Sequence, residues 1–138
     1  LAKRVTPERE TFRYAPGKWT VREIFGHLAD AERVFGYRLL CISRGDTTPL
    51  PGFDEDTYVS AGPYAAISAI ELAREFAAVR QSNLDVLRRL TATEAQRVGT
   101  ANGHPISVRA LAFIMAGHVR HHLGTLSERY GIVINPRD

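Results

Sequence analysis

The sequence predicts an all-α bundle, and three observations carry that prediction. Apolar residues recur at three- and four-residue steps along three long stretches. Two of those stretches open on a hydroxyl side chain placed to cap a helix. No stretch shows the sustained two-residue alternation of a half-buried strand. Residues 1–14 are mixed and read as partly helical, closed off by Pro16-Gly17. The chain begins with Leu1 rather than Met, so a piece of helix is expected upstream. Thr20-Val21-Arg22-Glu23 is a capping box, in which the Thr20 hydroxyl accepts from the Glu23 amide while the Glu23 side chain reaches back. Val21, Ile24, Phe25, Leu28, Ala31, Phe35, Leu39 and Ile42 then mark one face of a long amphipathic helix, roughly 20–44, ended by Gly45.

Residues 45–65 hold Pro49, Pro51, Gly52, Gly62 and Pro63 and read as a long irregular loop, a length that in a domain of this size often serves function. A second helix is expected over about 66–90, with Ile67, Ile70, Leu72, Phe76, Val79, Leu84, Leu87 and Leu90 on its apolar face. Thr91-Ala92-Thr93-Glu94 resembles another capping box and starts a short helical turn at about 92–97. Residues 98–106, with Gly99, Asn102-Gly103 and Pro105, form a turn-rich connection with room for brief extended pairing. Ser107 caps a third long helix, about 108–130, with Gly131 placed to end it. Its stripe is Leu111, Ile114, Met115, His118, His122 and Leu126.

The 138 residues suit one domain, 1–138. Hydrophobic content of 44% and charged content of 24% are those of an ordinary globular chain. A formal charge of +3, with no Lys/Arg block, argues against nucleic acid as a partner. No apolar run reaches the length of a membrane span, and the N-terminus shows no signal-peptide core. The single cysteine, Cys41, reads as a small core residue. It makes an internal disulfide impossible, so the expected compartment is the reducing cytoplasm.

Five histidines remain to be placed. His118 and His122, four residues apart, differ by about 40° around a helix, so both imidazoles face one side a turn apart and can reach one ion. His118 and His121 differ by about 60° in the other sense, which leaves that pair geometrically open. The apolar stripe favours His122 as the inward member. His104 lies in the Asn102-Gly103-His104-Pro105 turn and is expected at the surface. A lone histidine on an apolar face is usually a core residue bonded to a carbonyl or carboxylate. Two of them a turn apart need two partners or one shared one, and a cation satisfies both. His27 sits on the first long helix, three residues before Asp30, which either orients the imidazole or is a solvated helix acid. Three imidazoles with one coordination position left over would make an open metal site. Trp19 is expected to anchor the chain against the bundle. Asp54, Asp56 and Tyr58 read as part of a solvated loop that could instead line the mouth of the site. Arg33, Arg38 and Arg120 are candidates for an acidic cofactor, though arginines on helix surfaces are usually solvated.

Two segments carry a family pattern. Pro16-Gly17-Lys18-Trp19-Thr20-Val21-Arg22-Glu23-Ile24-Phe25-Gly26-His27-Leu28-Ala29-Asp30-Ala31-Glu32 resembles the first motif of the DinB-like (DinB/YfiT) superfamily, and Ala116-Gly117-His118-Val119-Arg120-His121-His122-Leu123-Gly124 resembles its last-helix motif. The loops Pro51–Asp56 and Thr100–Pro105 look like the connections of one subgroup, so the resemblance covers about residues 12–130. It implies an antiparallel four-helix bundle of up-down-down-up topology whose first helix is truncated here. It also implies a divalent metal held by His27, His118 and His122. Zinc and nickel suit imidazole ligands best, with manganese a further choice. Characterised relatives include transferases that use a low-molecular-weight thiol, so the resemblance implies a metal-dependent thiol S-transferase acting on a small-molecule substrate, more readily than a hydrolase, and a homodimer. A noncatalytic metal-binding or dimeric interaction module fits the same triad.

Overall fold

Caps decide where the helices begin. The computed structural model describes residues 5–133 and is mostly helical. A single turn, α1 (Pro7–Glu10), precedes α2 (Val21–Ser43), and the remaining expectations for 1–14 at residues 1–4 lie outside the described residues. Thr20 caps α2 as expected: Glu23 N donates to Thr20 Oγ1 at 3.3 Å and Thr20 N donates to Glu23 Oε2 at 2.5 Å. The second long helix, α4 (Ala69–Arg88), starts three residues later than expected, because Ser68 and Glu71 form a capping box of their own. Thr91 and Glu94 form a third box, ahead of α5 (Ala92–Gln96). Ser107 accepts from Ala110 N at 3.1 Å and opens α6 (Val108–Glu128).

Two stretches hold more structure than their sequence suggests. The loop expected at 45–65 contains α3 (Glu55–Ala61), capped by Asp54, which accepts from Thr57 N at 2.8 Å, and a 3-10 turn at Tyr64–Ala66. Seven residues are too few to display a helical period, so only the cap could have revealed α3. The connection at 98–106 is an antiparallel hairpin, β1 (Val98–Ala101) with β2 (His104–Ser107), in register from Val98↔Ser107 to Ala101↔His104. Asn102 and Gly103 both take positive φ, 51° and 76°, the requirement of a two-residue hairpin turn.

Packing fixes the helix directions. The start of α2 (Val21, Ile24, Phe25, Leu28) shares one core cluster with the start of α4 (Ala69, Leu72) and with Leu126 and Tyr130 at and just after the end of α6. The end of α2 (Leu39, Ile42) shares a second cluster with Val86, Leu87 and Leu90 and with Val108, Leu111 and Met115 at the start of α6. Hence α2 and α4 run parallel, and α6 runs against both. Parallel neighbours cannot be joined by a tight turn. The chain must travel back along α2, which at about 1.5 Å per residue is roughly 34 Å long, and the 44–68 segment makes that journey. Two parallel helices beside an antiparallel one supply the down-down-up part of the expected topology. Gly36 lets α4 come close: a Cβ there would collide with the Asn83 side chain. Glu10 ties α1 in, its Oε2 accepting from Arg22 Nε at 2.7 Å and its Oε1 accepting from Ala69 N at 3.1 Å.

Candidate metal centre

The antiparallel crossing of α2 and α6 brings His27, near the start of one helix, to His118 and His122, at the middle and in the second half of the other. One ring nitrogen from each lies within 4.8 Å of those of the other two. His118 Nε2 is 3.0 Å from His27 Nε2 and 3.2 Å from His122 Nε2. A tetrahedral ion bound at the usual 2.0–2.1 Å would hold such nitrogens about 3.3 Å apart, so the two pairs that meet at His118 already stand close to ligand spacing. His27 is buried and the other two are half-buried. Burial, with the charge of His118, pushes the His27 pKa down to about 4. Burial, followed by His118, His27 and His121, pushes His122 down to about 3. Burial also lowers His118, helped by His121 and Arg80 and opposed by Glu32. All three are therefore neutral at pH 7, the form in which an imidazole ligates.

The donor set fits a cation better than it fits itself. A neutral imidazole nitrogen is either a donor or an acceptor with one lone pair. His118 Nε2 faces two other Nε2 atoms and can make one good hydrogen bond, not two. Three lone pairs converging on one ion remove the conflict. His27 Nδ1 is also a buried polar atom without a partner among the described residues. Asp30 does not orient it: its Oδ2 accepts from the Tyr64 hydroxyl, and its Oδ1 lies 3.5 Å from Arg33. Helix geometry explains the outcome, since a residue three positions on is displaced by about 60° and here turns toward the 3-10 turn.

Aromatic rings pack against the imidazoles. Trp19 lies 4.7 Å from the His27 ring and is stacked at 6.4 Å over His122, and Phe35 meets His118 edge-on at 5.4 Å. Three bonds hold the indole segment in place. Trp19 Nε1 donates to Asp56 Oδ1 at 3.0 Å, the Tyr130 hydroxyl donates to the Trp19 carbonyl at 2.6 Å, and the next residue caps α2. Burial, with Tyr14 and Glu23 adding to it, pushes that Tyr130 hydroxyl up to about 12, so it stays a donor. Trp19 thus does more than anchor the chain, and Asp56, exposed as a solvated loop acid is, also bonds the indole and lines the cavity beside it. A cavity of about 310 Å3 opens beside His122, lined among others by Lys18, Trp19, Asp56, Thr125 and Tyr130.

Of the remaining candidates, Asp54 is spent capping α3, and Tyr58 lines a different cavity. His121 is exposed beside His122, and His104 is exposed at the hairpin. Cys41 is half-buried against the second core cluster. Sequence reasoning missed a buried network one turn beyond His27. Glu32, 1% exposed, accepts from Arg80 Nε and Nη2 at 2.8 and 2.7 Å and from Asn83 Nδ2 at 2.8 Å. Arg80 Nη2 also donates to the Met115 carbonyl at 3.1 Å, three residues before His118. The network therefore joins all three long helices next to the histidines. The signal was present: Glu32 sits four residues after Leu28 and three before Phe35, an acid on the apolar stripe.

A helical bundle whose antiparallel helices pool three neutral imidazoles offers a group that could hold a metal ion. Comparison with known proteins names the family. Residues 1–126 match the family model of the DinB superfamily, and the chain belongs to that superfamily. No curated protein sequence matches it. Among solved structures it is similar to YfiT from Bacillus subtilis, with a TM-score of 0.77 and 20% identity over 95% of this chain and 78% of that one. YfiT is described as a probable metal-dependent hydrolase with an unusual four-helix bundle topology. At this identity the match establishes the four-helix bundle fold. No helix among the described residues is long and apolar enough to cross a membrane.

Proposed function

We propose that the protein holds one divalent cation on His27, His118 and His122 and works as a metal-dependent enzyme, activating a low-molecular-weight thiol for transfer to an electrophilic small molecule. The observation that carries this reading is the convergence of three neutral imidazoles, one ring nitrogen from each within 4.8 Å of the other two. A divalent cation with three neutral ligands keeps its full charge and an exchangeable position, and lowers the pKa of a thiol or water placed there. The chain's residues do the rest. The three imidazoles fix the ion. Trp19 and Phe35 pack against the imidazole rings. The cavity beside His122 admits the small molecules, with Lys18 on its wall to meet a negative group. No protein nucleophile is required, in keeping with the sequence.

Hydrolysis is the second reading. It rests on Asp56, a carboxylate on the cavity wall placed to serve as general base for water, and on the description of YfiT. The deciding experiment loads the protein with zinc, nickel or manganese and follows two readouts: consumption of free thiol with electrophilic substrates, and thiol-independent cleavage of esters and amides. Metal-dependent thiol consumption supports transfer, and cleavage without thiol replaces it with hydrolysis. Metal binding with neither activity across a broad panel leaves the noncatalytic module. We also propose a cytoplasmic homodimer, supported by the free Cys41 and by Phe113 and Ile114 exposed together on α6, 74% and 43%. A monomer mass in solution would overturn the dimer.

A further inference from the structure

Arg38 has the same orientation on α2 as His27, eleven residues on and about 16 Å along the axis. It is only 9% exposed. Nη2 donates to the Pro51 carbonyl at 2.8 Å, which uses one of five N–H donors. Among the described residues no carboxylate pairs with it. The other buried charges are paired, Glu10 with Arg22 and Glu32 with Arg80. A buried guanidinium cannot shed its proton, so leaving it without an anion is costly. Burial alone lowers its pKa, with no acid opposing.

Beside Arg38 lies a cavity of about 260 Å3, walled mainly by Val34, Tyr37, Leu50, Phe53 and Tyr58. The Leu50 side is fixed. Leu50 N donates to the Thr100 carbonyl at 2.9 Å, and Asn102 N donates to the Leu50 carbonyl at 3.0 Å, pinning the loop to the hairpin. Phe53 packs edge-on against Tyr58 at 5.3 Å. Arg33, at the rim, is already engaged by Glu75 and Asp30. One unspent cation among aromatic and aliphatic side chains is the chemistry that selects an anion with an apolar body.

We propose that this cavity binds the carboxylate of a small apolar or aromatic acid, with Arg38 as its counterion, at a site separate from the metal centre. The test titrates benzoate, by calorimetry, into metal-loaded and metal-stripped protein, with inorganic phosphate as the anion lacking an apolar body. Benzoate is expected to bind both forms equally and phosphate more weakly. Arg38→Met should weaken benzoate by roughly tenfold or more. Val34→Phe, which keeps the arginine and fills the cavity, should weaken it comparably, and it carries the test if Arg38→Met fails to fold. The proposal is overturned by any of four results: no binding to wild type at about 10 mM benzoate, loss of binding when the metal is stripped, phosphate binding as tightly as benzoate, or unchanged affinity in Val34→Phe.

Discussion

His118 Nε2 faces both other ligand atoms, so at the residue scale it is the histidine whose loss should disturb the site most. His118→Ala, His27→Ala and His122→Ala should each reduce zinc affinity by more than the roughly 10- to 100-fold seen when only outer partners of a ligand are removed. His121→Ala should leave affinity within about threefold, the scale of an ordinary surface change. Competition titration with a chromophoric chelator measures all four. If His121→Ala costs as much as His122→Ala, the inward choice made by the apolar stripe is wrong. The lowered pKa values add a pH prediction for the metal-free protein. His27 and His122 titrate near 4 and 3 when folded and near the ordinary 6.5 when unfolded, so between those values the unfolded chain binds more protons. Stability must then fall as pH drops below about 6.5, by at most about 1.4 kcal/mol per pH unit for each histidine. Urea midpoints from pH 7 to 4 test the sign, and His122→Ala should flatten the slope.

At the scale of elements, the Glu32–Arg80–Asn83 network decides how α2, α4 and α6 stay in step. A buried ion pair adds little over well-packed apolar residues, but breaking it leaves one charge alone. Arg80→Met should therefore destabilise by about 3–5 kcal/mol, while Glu32→Leu combined with Arg80→Met should recover most of that loss. Equilibrium unfolding of the singles and the double separates a costly orphan charge from a pair that stabilises outright, since a double as destabilised as Arg80→Met alone would mean the latter. The same elements show what the sequence made legible. Capping boxes and three-residue steps place α2 within one residue at either end and set the inward faces of His118 and His122. Ser68-Ala69-Ile70-Glu71 carries an equally clear box, yet the apolar Ile67 pulls the expected helix start upstream of it. α3 and Asp56's bond to Trp19 were not legible, because a seven-residue helix has no measurable period and a contact across 37 residues depends on the crossover path. Glu32 stands out as an acid on the apolar stripe, but Arg80 looks like an ordinary helix charge until the parallel packing of α2 and α4 brings the two together.

For the whole molecule, the question is what a cation adds to a bundle that already has two core clusters. The long 44–68 crossover leaves α2 and α4 parallel and well packed, while α6 is held to α2 by the apolar clusters at each end and by the histidines in between. Because those clusters do not need the ion, the metal-free protein should remain folded in chelator. Because the ion joins α2 to α6 in the folded state alone, it must still stabilise by mass action: at free metal 100-fold above Kd the gain is about 2.7 kcal/mol. For a chain of this length that corresponds to a rise in Tm of roughly 8 °C. The gain should also be local. Hydrogen exchange on adding zinc should slow most in the first turns of α2 and the last turns of α6, and least in α4, which offers no ligand. Slowing spread evenly over all three helices would mean that the ion acts on global unfolding alone. A Tm unmoved by zinc, nickel and manganese alike would remove the metal centre, and with it the enzymatic reading, while leaving the Arg38 cavity to stand or fall on its own titration.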